Sequence, residues 1–494
     1  MAYGIGDAVH SVQQVLTEYW PHILFVISGA ASTAAAIHAA MTKQDVRAAI
    51  GWVAVVLFSP LFGAALYLVA GINRVRKQRL SRLRADSSIS QEVIHQLLVE
   101  DVASVSGAQF SALKALGDRV SDFKLVGLNA IRLLDGGDET YPAMLEAIKG
   151  AQRSIVLQSY IFDHDEVGVE LAQALIDAHA RGIAVRVLID AIGAKYSRTS
   201  IVHMLEKGGV RTARFMRPVI GVRLVYANLR SHRKLLVIDG THGFTGGMNI
   251  RAGFVTAIAK ENVTHDAHFQ VSGPVVYQLM LCFAHDWQFT TQEKLSDPVW
   301  FPSNSADFLE EGGVPLRCVP SGPDSTLGST HDMLLGALSI AQRHVRIQSP
   351  YFLPDVSLVD GLATAARRGV CVDIVIPGAN NLKLVHAAMM AQIDQLILTG
   401  CRVWRASGTF DHSKLFTVDG GWSYVGSSNL DPRSLRLNFE LDLEVYDRNL
   451  TQQLDARIDA TIAKGERITI RSLRRRSFLL RLRDKIVWLA SPYL

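Results

Sequence analysis

The chain has 494 residues, 49% apolar and 20% charged, which excludes global disorder and leaves room for two or three domains. Its net charge of +5 is uneven: residues 74–84 carry six basic groups and no acid, and the tail from Lys464 carries nine against two acids, so the rest holds 5 − 6 − 7 = −8. Basic charge confined to the flanks argues against a nucleic-acid enzyme, which carries it over the catalytic core, and suits anionic lipid headgroups.

Two apolar stretches come first. No Asp, Glu, Lys or Arg occurs from Tyr19 to Thr42 or from Ala48 to Asn73, and about 20 such residues span a bilayer core. The spacing predicts a transmembrane hairpin with helices at about 20–41 and 49–71. The second is the stronger candidate, because Pro21, His22 and His38 interrupt the first. Trp20, Trp52 and Tyr67 lie near the ends, as interfacial aromatics do. Two buried core helices are the bland alternative. Residues 1–18 lack basic side chains and the six-residue basic cluster follows the second stretch, so both ends of the hairpin and the body are expected in the cytoplasm.

The body contains an internal repeat. MLEAIKGAQRSIVLQSYIF (144–162) and MLLGALSIAQRHVRIQSPYF (333–352) each read as a helix, an AQR turn and a β-rich run. Each continues into a helix, a Gly break and an apolar strand (LAQALIDAHARGIAVRVLID; GLATAARRGVCVDIVIPG), then a further helix. Helices alternating with buried strands predict an α/β class with two fused α/β sandwich halves related by a pseudo-twofold axis. The expected domains are 1–85, 86–300, 301–463 and a basic tail 464–494, with the halves joined near Trp300–Gly313. The four cysteines, Cys282, Cys318, Cys371 and Cys401, show no metal or CxxC spacing and read as buried apolar residues in a reducing compartment.

Each half then carries H-x-K-x4-D-x6-G-[GS]-x-N: His232, Lys234, Asp239, Gly246, Gly247 and Asn249, and His412, Lys414, Asp419, Gly426, Ser427 and Asn429. One HxK is a weak signal; two with the same downstream residues are a strong one. His and Lys two apart on a β-rich run project from one face. This set suits phosphodiester chemistry without a metal. A nucleophile must be aimed at phosphorus while cations and donors neutralise the equatorial oxygens. Two imidazoles across one phosphate supply a nucleophile and an acid that later serves as base. His232, Lys234, Asp239, His412, Lys414 and Asp419 form the expected catalytic set, although each Asp fits a strand brace equally well. Asn249, Asn429 and Ser427 are expected to bind or orient phosphate.

These paired motifs resemble those of the phospholipase D superfamily, and the resemblance covers nearly the whole chain. Finer wording (GAALYLVAGINR, SHRKLLVIDGTHGFTGGMNI, QSPYFLPD and GSSNLDPRSLRLNFELDLEVYD) is similar to bacterial cardiolipin synthases. The resemblance implies a phosphatidyl-histidine intermediate, no metal and no cofactor. It also implies an acidic residue about thirty positions after each motif histidine that orients the imidazole; Asp266 in HDAHF and Glu440 in NFELD stand 34 and 28 residues on. The implied reaction moves a phosphatidyl group from one phosphatidylglycerol to another with release of glycerol. Family precedent makes His232 the nucleophile and His412 the acid and base; motif symmetry alone does not choose. Ser231 stands where the family commonly has Asn, and HDAHF replaces a more usual W-R-D-T-H run, so the acceptor stays open between phosphatidylglycerol, phosphatidylethanolamine and a CDP-lipid. Expected partners are phosphatidylglycerol and other anionic phospholipids in a bacterial inner membrane, and no nucleic acid; the oligomeric state is open.

The tail ITIRSLRRRSFLLRLRDKIVWLASPYL interleaves Arg with Leu, Phe and Trp488. It reads either as an interfacial amphipathic helix or as a terminal helix docked on the body with solvated arginines. Rival functions are a hydrolytic phospholipase D, a phosphatidylserine synthase, a nuclease and a non-catalytic membrane scaffold.

Overall fold

The computed structural model describes residues 3–43, 45–72, 97–196, 200–216, 229–302 and 313–491. The basic segment 74–84 and most of the expected join lie outside the described residues. The chain divides into two compact units, Met1–Arg76 and Lys77–Leu494.

In the first unit, α1 (Tyr3–Thr42) runs through Pro21 and is the one described helix long and apolar enough to cross a membrane, over Tyr19–Thr42. The second apolar stretch departs from the expected single helix over 49–71. It forms α2 (Val46–Phe58), α3 (Pro60–Leu66) and a π-turn at Tyr67–Gly71. The cause is Pro60, whose ring drives the preceding residue out of the helical region; Ser59 sits at φ −139°, ψ 74°. Gly63 permits the kink, since a Cβ there would stand 2.4 Å from the Val55 carbonyl oxygen. Ala35, Ala39, Val56 and Ala64 form a small core. Ser32 Oγ donates to Val56 O (2.9 Å), and His38 Nδ1 meets the Tyr67 hydroxyl at 2.7 Å. The outward face carries Phe25, Val26, Phe58 and Phe62.

The second unit begins with α4 (Phe110–Val120). The first half follows as β1 (Val126–Asp135), α5 (Gly137–Gly150), β2 (Ser154–Ser159), α6 (Glu166–Ala180), β3 (Ala184–Asp190), α7 (Ile201–Lys207), β4 (Arg211–Phe215), β5 (Arg230–Ser231), β6 (Leu235–Ile238), β7 (His242–Gly246), α8 (Thr256–Ala259), β8 (Ala267–Ser272) and α9 (Val275–Thr291). The second half repeats the order as β9 (Val314–Ser321), α10 (Ser329–Ile340), β10 (His344–Gln348), α11 (Val356–Arg367), β11 (Cys371–Ile376), α12 (Lys383–Leu398), β12 (Arg402–Arg405), β13 (Leu415–Val418), β14 (Trp422–Gly426), α13 (Pro432–Arg436), β15 (Asn438–Val445) and α14 (Arg448–Lys464). β16 (Glu466–Ile468), α15 (Ile470–Arg474) and α16 (Phe478–Leu489) close the chain.

The strands form one sheet centred on the antiparallel β1–β9 pair. Outward from that pair the order is β8-β7-β6-β2-β3-β4 on one side and β15-β14-β13-β10-β11-β12 on the other, which is the expected twofold repetition. Leu157, Val187 and Phe244 lie in the first core; Ile347, Ile374 and Tyr424 lie in the second. Strands buried on both faces read as continuous apolar runs such as IVL in β2 and IVI in β11. α4 precedes the first half in sequence but contributes Phe110 and Leu113 to the second core. β16 extends the second half at β12, and the tail helices pack against α12.

Candidate active site

Both motif histidines enter from strand ends at the middle of the sheet, and each is tied to the opposite half. β5 pairs in parallel with β15, and His232 N donates to Phe439 O (2.8 Å). The counterpart is a bridge between His265 and Asp411, with His412 N donating to His265 O (2.7 Å). Each histidine backbone thus hangs on the residue before the other half's carboxylate. His232 Nδ1 lies 2.9 Å from Glu440 Oε2, and His412 Nδ1 lies 2.8 Å from Asp266 Oδ2. Asp266 and Glu440 do meet the histidines, but the pairing is crossed: neither carboxylate serves the histidine some thirty residues before it.

The two dyads differ in their surroundings. Glu440 also accepts from Ser427 Oγ (2.6 Å) and Asn438 Nδ2 (3.0 Å). Despite the burial penalty, His232 and Lys234 hold its carboxyl below the usual range. Burial pushes Asp266 upward against the opposing pull of Lys414. Burial also lowers both imidazoles, His412 well below its ordinary value with Lys414 and Lys234 adding to the effect. Burial thus favours the neutral form of each imidazole, and an Nδ1–H directed at a carboxylate leaves an Nε2 lone pair free.

Lys234 Nζ donates to His232 O (2.6 Å) and lies 5.7 Å from the Tyr160 ring centroid. Burial takes this ammonium down to about 7. Lys414 Nζ donates to His412 O and stands 2.6 Å from His412 Nδ1 and 3.5 Å from Asp266 Oδ2. Two buried lysines thus stand beside two imidazoles, a compact cluster of potential cations and donors.

Asp239 and Asp419 lie elsewhere. Each opens an Asp-Gly turn with both residues at positive φ (54° and 71°; 52° and 66°), within the three-residue connections 239–241 between β6 and β7 and 419–421 between β13 and β14; this is the backbone of a primed hairpin turn. The Asp239 carboxylate accepts the backbone N–H groups of Gln152, Arg153 and Ser154; that of Asp419 accepts those of Gln342, Arg343 and His344. Each stands seven positions along mostly extended chain from its histidine, roughly 20 Å. Asn249 Oδ1 accepts Ile161 N (3.1 Å), and Asn429 Nδ2 donates to Ser434 Oγ (3.3 Å). Ser428 Oγ donates to Asp442 (2.5 Å), whose carboxyl burial raises to about 6.

Several site residues escaped the motif reading. Tyr160 packs on His232 (5.3 Å between ring centroids); Tyr351 and Phe410 pack on His412 (both 5.8 Å). The tyrosines stand in QSYIF and QSPYF, so the repeat itself was the signal. Arg233, between His and Lys, is buried, pairs with Asp286 (2.9 Å) and donates to Glu440 O (2.9 Å). His268 is buried with neither ring nitrogen hydrogen-bonded among the described residues, and burial lowers it to about 4.

The sequence profile of the family described as "Cardiolipin synthase, PLD-like domain" matches residues 144–287 and 334–462, one segment in each half. A second profile, "Phospholipase_D-nuclease N-terminal", matches residues 30–71. The chain is 32% identical over 470 residues to Cardiolipin synthase A of Pseudomonas syringae pv. syringae (strain B728a), covering 94% of this chain and 96% of that protein. The chain belongs to the bacterial cardiolipin synthases of the phospholipase D superfamily. It is also 30% identical over 464 residues to the Major cardiolipin synthase ClsA of Bacillus subtilis (strain 168), covering 92% and 95% of the two chains. Among solved structures it is similar to the phosphatidylserine synthase of Haemophilus influenzae Rd KW20, with TM-score 0.59 and 17% identity over 77% of this chain and 100% of that one; this likeness concerns the fold. As a member of the cardiolipin synthase family, the chain is a membrane-associated phosphatidyltransferase of the phospholipase D type.

Proposed function

We propose that this enzyme makes cardiolipin by moving a phosphatidyl group from one phosphatidylglycerol to another through a phosphatidyl-histidine. The crossed pair of buried His–carboxylate dyads carries this reading: it offers two Nε2 atoms and two ammonium groups to one phosphate. His232 Nε2 attacks phosphorus, the P–N bond forms and the P–O bond to glycerol breaks. His412 gives its Nε2 proton to the departing oxygen; the phosphodiester's charge offsets the burial penalty and favours the protonated imidazole at that moment. His412 then takes the proton from a hydroxyl of the second phosphatidylglycerol, whose oxygen displaces His232 from phosphorus. Lys234 and Lys414 balance the equatorial oxygens. Ionised Glu440 beside His232 supports His232 as nucleophile, since the imidazolium forming there gains a counter-charge. Asp239 and Asp419 act as turn braces, Asn249 holds the Ile161 backbone, Asn429 the Ser434 hydroxyl, and Ser427 the Glu440 carboxylate.

In this reading the first unit is a two-pass anchor in the bacterial inner membrane with the body in the cytoplasm, the division runs at 85, 300 and 463, and nucleic acid is not a partner. Mass spectrometry of the products formed from headgroup-labelled phosphatidylglycerol in mixed micelles with EDTA tests it. Cardiolipin and free glycerol are expected. Phosphatidic acid alone would make water the acceptor, and product only with phosphatidylethanolamine or a CDP-lipid would overturn the substrate assignment.

A further inference from the structure

α16 presents an apolar stripe to solvent where a docked terminal helix would ordinarily present charge. The inward face of α15 and α16 packs on α12 and the second core, where Leu473 is buried. Asp484 is buried and takes Arg476 (2.6 Å) and Arg483 (2.7 Å); Val487 and Trp488 pack on the second core; Lys485 Nζ donates to Ala391 O (2.6 Å). On the other face Leu479, Leu482, Ile486 and Leu489 follow one another at spacings of three and four, one stripe of a helix, and all are exposed, Leu479 at 74% and Leu489 at 73%. Phe478 is 67% exposed beside them. Residues 470–489 hold seven basic groups against Asp484 alone, and Arg474 and Arg481 pair with no carboxylate among the described residues. A cleft of about 380 Å³ opens between α12 and the tail, lined in part by Met390, Leu398, Phe478, Leu482, Arg474 and Arg481.

The same surface approaches the catalytic centre along α12. Asn381, two residues before α12, accepts the Tyr351 hydroxyl (2.8 Å), and the Tyr351 ring stands edge-on to His412. Leu382 and Leu384 are exposed at that end of the helix. One turn on, His386 lies near Arg476 and Arg483; together with burial and Arg405 they hold its imidazole below the usual range.

We propose that α15 and α16 are a docking surface for an anionic phospholipid bilayer, with the stripe entering the acyl boundary and the unpaired guanidinium groups meeting lipid phosphates. The inference rests on the reading above that the substrate is a membrane phospholipid. Through α12 it sets the lipid surface beside the His412 side of the active site. An environment-sensitive fluorophore at Leu479→Cys tests it in the full chain, with Cys371→Ser removing the one partly exposed native thiol and a label at exposed Lys207→Cys as control. In nanodiscs containing phosphatidylglycerol the emission at position 479 should shift to the blue relative to phosphatidylcholine alone, while that at 207 stays unchanged. Adding Arg474→Glu and Arg481→Glu should abolish the difference. A label that stays in water in both lipids overturns the proposal, and a soluble protein as the true occupant gives that result. Cardiolipin formation is measured in the same samples: product without lipid contact at 479 sinks the docking surface alone, and lipid contact without product sinks the proposed reaction alone.

Discussion

Glu440→Gln separates the crossed pairing from its uncrossed alternative. Glu440 Oε2 accepts both His232 Nδ1 (2.9 Å) and Ser427 Oγ (2.6 Å), Oε1 accepts Asn438 Nδ2, and the side chain is fully buried. Glutamine keeps the shape and one acceptor oxygen but removes the charge that balances the imidazolium as the P–N bond forms. A hydrogen bond to a charged group contributes about 1.5–3 kcal/mol; the upper value, suited to so dry a site, slows the step roughly 150-fold. The loss should fall on labelling of the enzyme by phosphorus-labelled phosphatidylglycerol, read in a base-quenched rapid-mixing experiment, because His232 is the partner. Asp266→Asn removes the carboxylate from His412 instead, so labelled enzyme should form and persist while turnover falls. If Asp266→Asn blocked labelling and Glu440→Gln let label accumulate, either the pairing or the choice of nucleophile would be wrong.

Three further outcomes follow from the same geometry. Lys234, lowered to about 7 by burial, loses its proton as pH rises through that value, so kcat/KM should decline on an alkaline limb near 7; the limb in kcat should lie higher, because bound phosphodiester favours the ammonium. A limb found only near 10 would contradict a buried Lys234. Asp419→Asn removes the charge that holds three backbone N–H groups and should lower unfolding stability by about 3 kcal/mol, seen as a lower denaturant midpoint at constant slope, with the products unchanged. Arg233→Met leaves Asp286 buried without its charge partner and should cost about 3–5 kcal/mol; Arg233→Met with Asp286→Leu should recover most of it, and no recovery would mean the pair is not the cause.

The family was legible because His, Lys and Asp stand at fixed offsets in both halves, and the α/β class because helix and strand periods alternate twice. The crossing of the dyads was not legible. Asp266 and Glu440 could be found by counting from each histidine, but their partners are set by pairing between halves, at β5–β15 and at His265–Asp411, which no local spacing encodes. The second apolar stretch misled for a different reason: counting uncharged residues ignored Pro60, whose effect on Ser59 is local and was readable. Tyr160 and Tyr351 were visible as repeated letters, yet nothing in the repeat said that their rings would pack on the histidines. Arg233 read as a spacer between two motif residues; only burial beside Asp286 makes it a support.

The exchange of backbone hydrogen bonds between His232 and Phe439, and between His412 and His265, has a bearing on how such an enzyme arises. Each half lends the other both the peptide carbonyl that suspends its histidine and the carboxylate that orients it. An isolated half therefore holds an unoriented imidazole and an unsatisfied acid, and it becomes chemically complete only against a second half presented head to head. A single-copy ancestor would have had to work as a symmetric dimer. Within one chain the two sites need not stay alike, and here Gly247 faces Asp266 on one side while Ser427 bonds Glu440 on the other.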